Sequence, residues 1–175
     1  MEAIPGSSEP GPSPADRLAL VEEVSEFGVK SVEAAAVRHL RHALLRPNQE
    51  AADLCYPGDD HPSALHVGGF RRDRMVGVAS ILPDPAPPRG TGPSWQLRGM
   101  AVERGHRGFG LGALMLERCL EHAAANGGGP VWCNARIAAC GFYERCGFSR
   151  EGELFNIEGI GLHLRMRLVM PPGHG

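Results

Sequence analysis

The sequence predicts a single mixed α/β domain, and three observations carry that expectation. Short β-rich runs alternate with amphipathic, helix-forming ones in the order β, α, β, β, β, α, β, α, β, β, with no internal repeat. Two of the β-rich runs face each other across a turn-like RRDR, as a hairpin would. The third observation is HRGFGLGALMLE, residues 106–117, which sets glycines at alternate positions directly before a helix-forming run. A helix start stripped of side chains offers unpaired N–H groups and the positive end of a dipole, the usual seat of a phosphate.

Residues 1–15, rich in Pro, Gly and Ser, are expected to be a disordered lead-in, with one folded domain over 16–175. ALVEEVSEF is expected to be the first strand. VEAAAVRHLRHALL is a helix with Val37, Leu40, Leu44 and Leu45 apolar and Arg38, Arg41 and His42 on other faces, ended by Pro47. The polar loop NQEAADLCYPGDDHPS follows. ALHVGGF and MVGVASIL form the hairpin, PDPAPPRGTGPS is a second loop, and WQLRGMAV is a strand. The glycines then open a helix with Met115, Leu116, Cys119, Leu120 and Ala123 on one face, ended by NGGGP. VWCNA is a buried strand, IAACGFYERC a short helix stopped at Gly147, and the tail a strand pair around NIEGIG.

Composition narrows the function classes. At 175 residues the chain can bury one core, and a formal charge of −2 gives no general pull toward nucleic acid or anionic membrane. Lys30 is the only lysine. Cys55, Cys119, Cys133, Cys140 and Cys146 form no CxxC pair and are odd in number, which fits a reducing cytosol better than a disulfide framework or zinc ribbon. No leader pattern or membrane-length apolar run is present, so a cytoplasmic protein is expected.

Which phosphate ligand do the glycines suit? A nucleotide P-loop requires a Lys after its last glycine, and none follows. A dinucleotide fingerprint is formally matched by Gly108, Gly110 and Ala113. It wants an acid about 20 residues on, where Cys133 and Asn134 stand instead. Arg107-Gly108-Phe109-Gly110-Leu111-Gly112 matches a third pattern, Q/R-x-x-G-x-G/A, the pyrophosphate loop for an acyl-coenzyme A. Glycines there let successive N–H groups approach a pyrophosphate with no Cβ in the way; the plainer reading is a tight turn at a helix start.

With MAV before this loop and FYERCGF after the next strand, the chain resembles the GNAT superfamily of N-acetyltransferases from about residue 19 to 169. The resemblance implies a mixed, mostly antiparallel sheet of six to seven strands flanked by about four helices. It implies acetyl-CoA as acyl donor, no metal, and direct transfer of acetyl to an amine on a small molecule or protein. Met100, Ala101 and Val102 would lend backbone groups to the pantetheine arm, and Arg107 charge to the phosphates. Homodimers are common in the family. Other readings are a non-catalytic CoA-binding module, or transfer of another acyl group or to a hydroxyl.

A thioester already carries a good leaving group, so the enzyme must position an amine and protonate a departing thiolate. The family's acid is often a Tyr matched here by Tyr143. A phenol of ordinary pKa about 10 suits an alkyl thiolate of similar basicity; the alternative is a core aromatic beside Phe142 and Phe148. An alkyl ammonium is only about one part in a thousand neutral at pH 7, so a base or water relay is needed. Candidates are His163, Asp59, Asp60, His61 and Glu103. EGELFNIEGIGLHLRM resembles a GNAT subgroup with a Gly-Ile-…-His-…-Met stretch, which puts His163 first; the alternative is a His that satisfies a hairpin. Cys133 and Cys140 read as small buried hydrophobes rather than acyl carriers. Asp59, Asp60, His61 and His66 read as a solvated turn rather than a metal site. Many family members carry Asn at the position of Arg136, so either Asn134 or Arg136 is left to meet the donor.

Overall fold

The computed structural model describes residues 26–47, 55–84 and 93–170. Along them run β1 (Phe27–Val32), α1 (Ala34–Leu45), β2 (Leu65–Arg71), β3 (Arg74–Pro83), β4 (Trp95–Val102) and a 3₁₀ turn (Arg104–His106). There follow α2 (Leu111–Ala125), β5 (Val131–Arg136), α3 (Ile137–Arg145), β6 (Ser149–Ile157) and β7 (Gly161–Leu168). The element order is the expected one, with three α-helices among the described residues where about four were expected. The expected first strand is displaced: FGVKSV forms β1, and residues 19–25 lie outside the described residues, as does the lead-in 1–15.

One sheet holds all seven strands in the order β1-β2-β3-β4-β5-β7-β6. Every neighbouring pair is antiparallel except β4 and β5. Two strands of the β3 hairpin side carry small residues where α2 crosses. A Cβ on Gly69 would stand 2.8 Å from Met115 Sδ, and one on Gly77 2.9 Å from Met115 Cε. That close approach lets α2 lay Leu111, Met115, Leu116, Cys119 and Ala123 into the main core, which α3 extends with Cys140 and Tyr143. α1 covers the opposite face, where Val37 and Leu40 pack on Val78.

Arg41 corrects the sequence expectation for α1. It is fully buried rather than turned to another face. Its position four residues after Val37 and three before Leu44 places it on the apolar stripe itself. A guanidinium there requires a buried partner, and the loop before β2 supplies one.

Candidate active site

The sheet divides between β4 and β5. These strands pair only at Trp95–Val131 and Gln96–Trp132, then diverge. From Leu97 onward the β5-facing edge of β4 therefore has no strand partner, and its backbone groups are available to an added extended segment. A register shift against β3 puts Gly99 and Met100 opposite Ala79 alone, and Gly99 has φ +60°, a bulge conformation suited to glycine. The divergence opens a cleft of about 280 Å³ lined by Gly99 and Met100 of β4, Asn134 and Ala135 of β5, Tyr143 of α3 and His163 of β7.

At the far end of β4 the chain makes its glycine turn. Gly108 and Gly110 have φ +89° and +83°, and a Cβ on either would project into open space. Gly110 is the N-cap of α2 and has no side chain to cap it. The N–H groups of residues 108–113 consequently have no partner among the described residues, while Leu114 N–H begins the helix ladder on Gly110. Such a row of unpartnered N–H groups at the positive end of a 15-residue helix suits a pyrophosphate. Side chains brace the turn from outside: Arg107 Nε donates to the Val102 carbonyl at 2.8 Å, and Phe109 stacks on Phe27 at 5.5 Å. Leu111 is buried, so only its backbone is offered. Gly112 differs, since its φ is ordinary and a Cβ would make normal contact with Phe142 at 3.5 Å.

Tyr143 is held by α3 with its hydroxyl donating to Met100 Sδ at 3.7 Å. Phe142 and Phe148 pack edge-on against its ring at 5.1 and 5.4 Å. Burial, reinforced by the neighbouring Cys133 thiol, pushes the phenol well above its ordinary range and keeps it protonated. Burial likewise pushes Cys133 up to about 12. A thiol so protonated is a poor nucleophile, in keeping with a packing role for this residue.

Of the five candidate bases, His163 lines the cleft. Its Nδ1 lies 2.7 Å from the Gly161 carbonyl. A carbonyl can only accept, so Nδ1 carries a proton, and in the neutral ring Nε2 is the acceptor. Phe155 stacks on the ring at 6.0 Å. The other candidates are elsewhere: Glu103 binds Arg74 at 2.8 Å, Asp60 and His61 are exposed, and His61 Nδ1 accepts the Ser63 N–H. Asn134 and Arg136 both line the cleft, but Arg136 donates to the Leu45 carbonyl at 2.8 Å.

Asp59 and His66 do not belong to a solvated turn. Arg41 Nη1 and Nη2 meet the two Asp59 oxygens at 2.5 and 3.2 Å, and Nη2 also donates to Ser80 Oγ at 2.5 Å. Ser80 Oγ lies 2.7 Å from His66 Nδ1, and His66 Nε2 reaches the Asp59 carbonyl at 2.9 Å. Burial works against the Asp59 charge, yet Arg41 outweighs it and holds the carboxyl below its usual range. Tyr56, in the same loop, lies under Arg41 at 4.6 Å and Arg98 at 5.1 Å. This network pins the loop before β2 against the cleft, and the apolar spacing around Arg41 was the one sequence sign of it. Among the described residues no His, Cys, Asp and Glu cluster could hold a metal ion, and no helix there is long and apolar enough to cross a membrane.

Comparison with known proteins agrees with this geometry. Residues 26–148 match the model of a family described as the acetyltransferase (GNAT) family. The chain is 33% identical over 138 residues to the uncharacterized N-acetyltransferase YitI of Bacillus subtilis (strain 168), an alignment covering 79% of this chain and 93% of that protein. The fold superposes on Escherichia coli ElaA with a TM-score of 0.65 at 20% identity, covering 81% and 98% of the two chains. It also superposes on a chain of the NatC complex bound to Gag peptide and CoA, with a TM-score of 0.69 at 18% identity, covering 83% and 99%.

Proposed function

The chain belongs to the GNAT acetyltransferase family, and from that premise we propose that it moves an acetyl group directly from acetyl-CoA to an amine, with Tyr143 as acid and His163 as base. Acetyl-CoA, as cosubstrate, supplies an acetyl thioester; the chain binds it, orients it and moves the protons. In this reading the N–H groups of residues 108–113 receive the pyrophosphate, with Arg107 nearby for its charge. The open edge of β4 at Met100, Ala101 and Val102 hydrogen-bonds the pantetheine arm, and Asn134 meets it from β5, since Arg136 is engaged with α1.

The observation that carries the proposal is the convergence of a proton donor and a proton acceptor on one cleft. His163 Nε2 takes the proton that an alkyl ammonium must lose before its nitrogen can attack. Tyr143 Oη gives its proton to the departing sulfur. Burial keeps the phenol protonated until the sulfur departs, and the departing thiolate takes that proton.

The test is a transfer assay with acetyl-CoA and a panel of primary amines, following free CoA thiol and the mass of the amine product. The expected result is thiol release in step with a product heavier by one acetyl group. Thiol release without an acetylated amine, or binding without any release, would favour a CoA-binding module over a transferase.

A further inference from the structure

The function proposed above uses only the backbone of Met100, yet the strand that carries it gives the side chain a place of its own. Along β4, Trp95 and Leu97 belong to the main core, two positions apart as a strand requires. Strict alternation would put Gly99 next on that face and turn Met100 toward α1. Instead Met100 and Val102 pack against the main core, while Ala101 joins Val37, Leu40 and Val78 on the α1 side. The extra residue of the bulge at Gly99 resets the alternation. The bulge therefore aims the Met100 side chain at the face of the sheet that carries Tyr143.

There the thioether meets the phenol. Met100 Sδ accepts the Tyr143 hydroxyl at 3.7 Å, and Met100 Cε lies 3.6 Å from the place of a Cβ on Gly112. The side chain thus runs from the start of α2 to the hydroxyl. Phe142 and Phe148 hold the ring edge-on at 5.1 and 5.4 Å, so the freedom that matters is rotation of the O–H about its bond to the ring. A thioether has no proton to give, so the phenol must donate toward it. The Cys133 thiol, kept protonated by burial, stands at the same oxygen from β5. With its own proton turned to Met100, the phenolic oxygen accepts from that thiol. A thioether is also a weak acceptor, so the proton is aimed without being trapped. A carboxylate at that point would hold it against transfer.

We propose that Met100 is a positioning residue whose thioether turns the Tyr143 proton into the cleft, toward the place of the departing sulfur. The proposal rests on the transferase reading with Tyr143 as acid. Met100→Leu removes the acceptor and nearly keeps the volume, so the fold should hold. The test is a double-mutant cycle with Tyr143→Phe, read by single-turnover acetyl transfer to an amine that the parent accepts, with acetyl-CoA affinity from calorimetry. In the parent, Met100→Leu should slow transfer about 10-fold, a part of the roughly 10²- to 10⁴-fold contribution of the acid, and change affinity by only a few-fold. In the Tyr143→Phe background it should slow transfer by less than about two-fold, since no proton is left to aim. In donor-free protein labelled with carbon-13 at tyrosine Cζ, the Tyr143 resonance, identified by its absence from Tyr143→Phe, should shift on Met100→Leu. A Met100→Leu protein as fast as the parent, an equal loss in both backgrounds, a loss of affinity in place of rate, or an unmoved resonance overturns the proposal. A parent protein that transfers acetyl to no amine overturns the transferase reading, and this role with it.

Discussion

The two ends of the cleft are built from different materials. The end proposed for the donor is backbone: a bulged strand edge at Gly99 and a helix start with unpartnered N–H groups, where Gly108 and Gly110 occupy left-handed conformations with no Cβ. The end proposed for the acceptor is side chain: Arg98 and Tyr56 beside a buried network in which Arg41, Asp59, Ser80 and His66 satisfy one another, and His163 held by the Gly161 carbonyl. A backbone-built end presents the same groups to whatever anion docks, which suits a donor of fixed chemistry. A side-chain-built end changes with each substitution, which suits an acceptor that must be chosen.

The contrast can be broken at either end or at the seam. The largest effect is expected at the seam, from Tyr143→Phe, which removes one oxygen and keeps the packed ring. Rapid-quench or steady-state kinetics should show kcat reduced about 10²- to 10⁴-fold, with acetyl-CoA affinity changed by only a few-fold. Unchanged kcat under rate-limiting chemistry would make Tyr143 a core aromatic alone.

Asp59→Asn breaks the acceptor end. It leaves the buried Arg41 and the mostly buried Arg98 without their shared counter-charge. Urea unfolding should show a loss of about 3 kcal/mol, while acetyl-CoA affinity of the folded protein stays within a few-fold. A loss below about 1 kcal/mol would mean the ion pair contributes no more than an exposed one.

Gly112→Ala is expected to do least. The position has ordinary φ and room for a methyl beside Phe142 and Met100, so calorimetry should give an acetyl-CoA affinity within about three-fold of the parent. A large loss would show that the donor approaches this Cα more closely than its neighbours.

This division of materials also decides what the sequence disclosed. Glycines at 108 and 110 sit together in the chain because one tight turn into α2 needs both left-handed positions, so the end proposed for the donor is written as a local motif. The strand and helix order is local too, and its departures are small: β1 begins at Phe27, where its pairing with β2 starts at Arg71. The network at the other end is assembled from α1, the following loop, β2 and β3, with Arg41 and Asp59 meeting 18 positions apart. No fixed spacing announces such a pair. Asp59 reads as part of a solvated turn because Gly58, Asp60 and His61 around it are indeed exposed, while its own carboxylate and carbonyl turn inward. His163 was legible through its hairpin, but the tautomer that frees Nε2 depends on the Gly161 carbonyl and appears only in three dimensions.

The claim on which the rest depends is that the donor is seated on backbone at the start of α2. Gly110→Val tests it most directly, because the new side chain enters open space rather than the core and the fold should survive. A β-branched residue also resists the left-handed conformation that this N-cap adopts. Calorimetric titration with acetyl-CoA, alongside circular dichroism to verify folding, should show affinity lowered by at least about 100-fold, the combined loss of several amide contacts to phosphate. A folded Gly110→Val protein that binds acetyl-CoA as tightly as the parent would contradict the account.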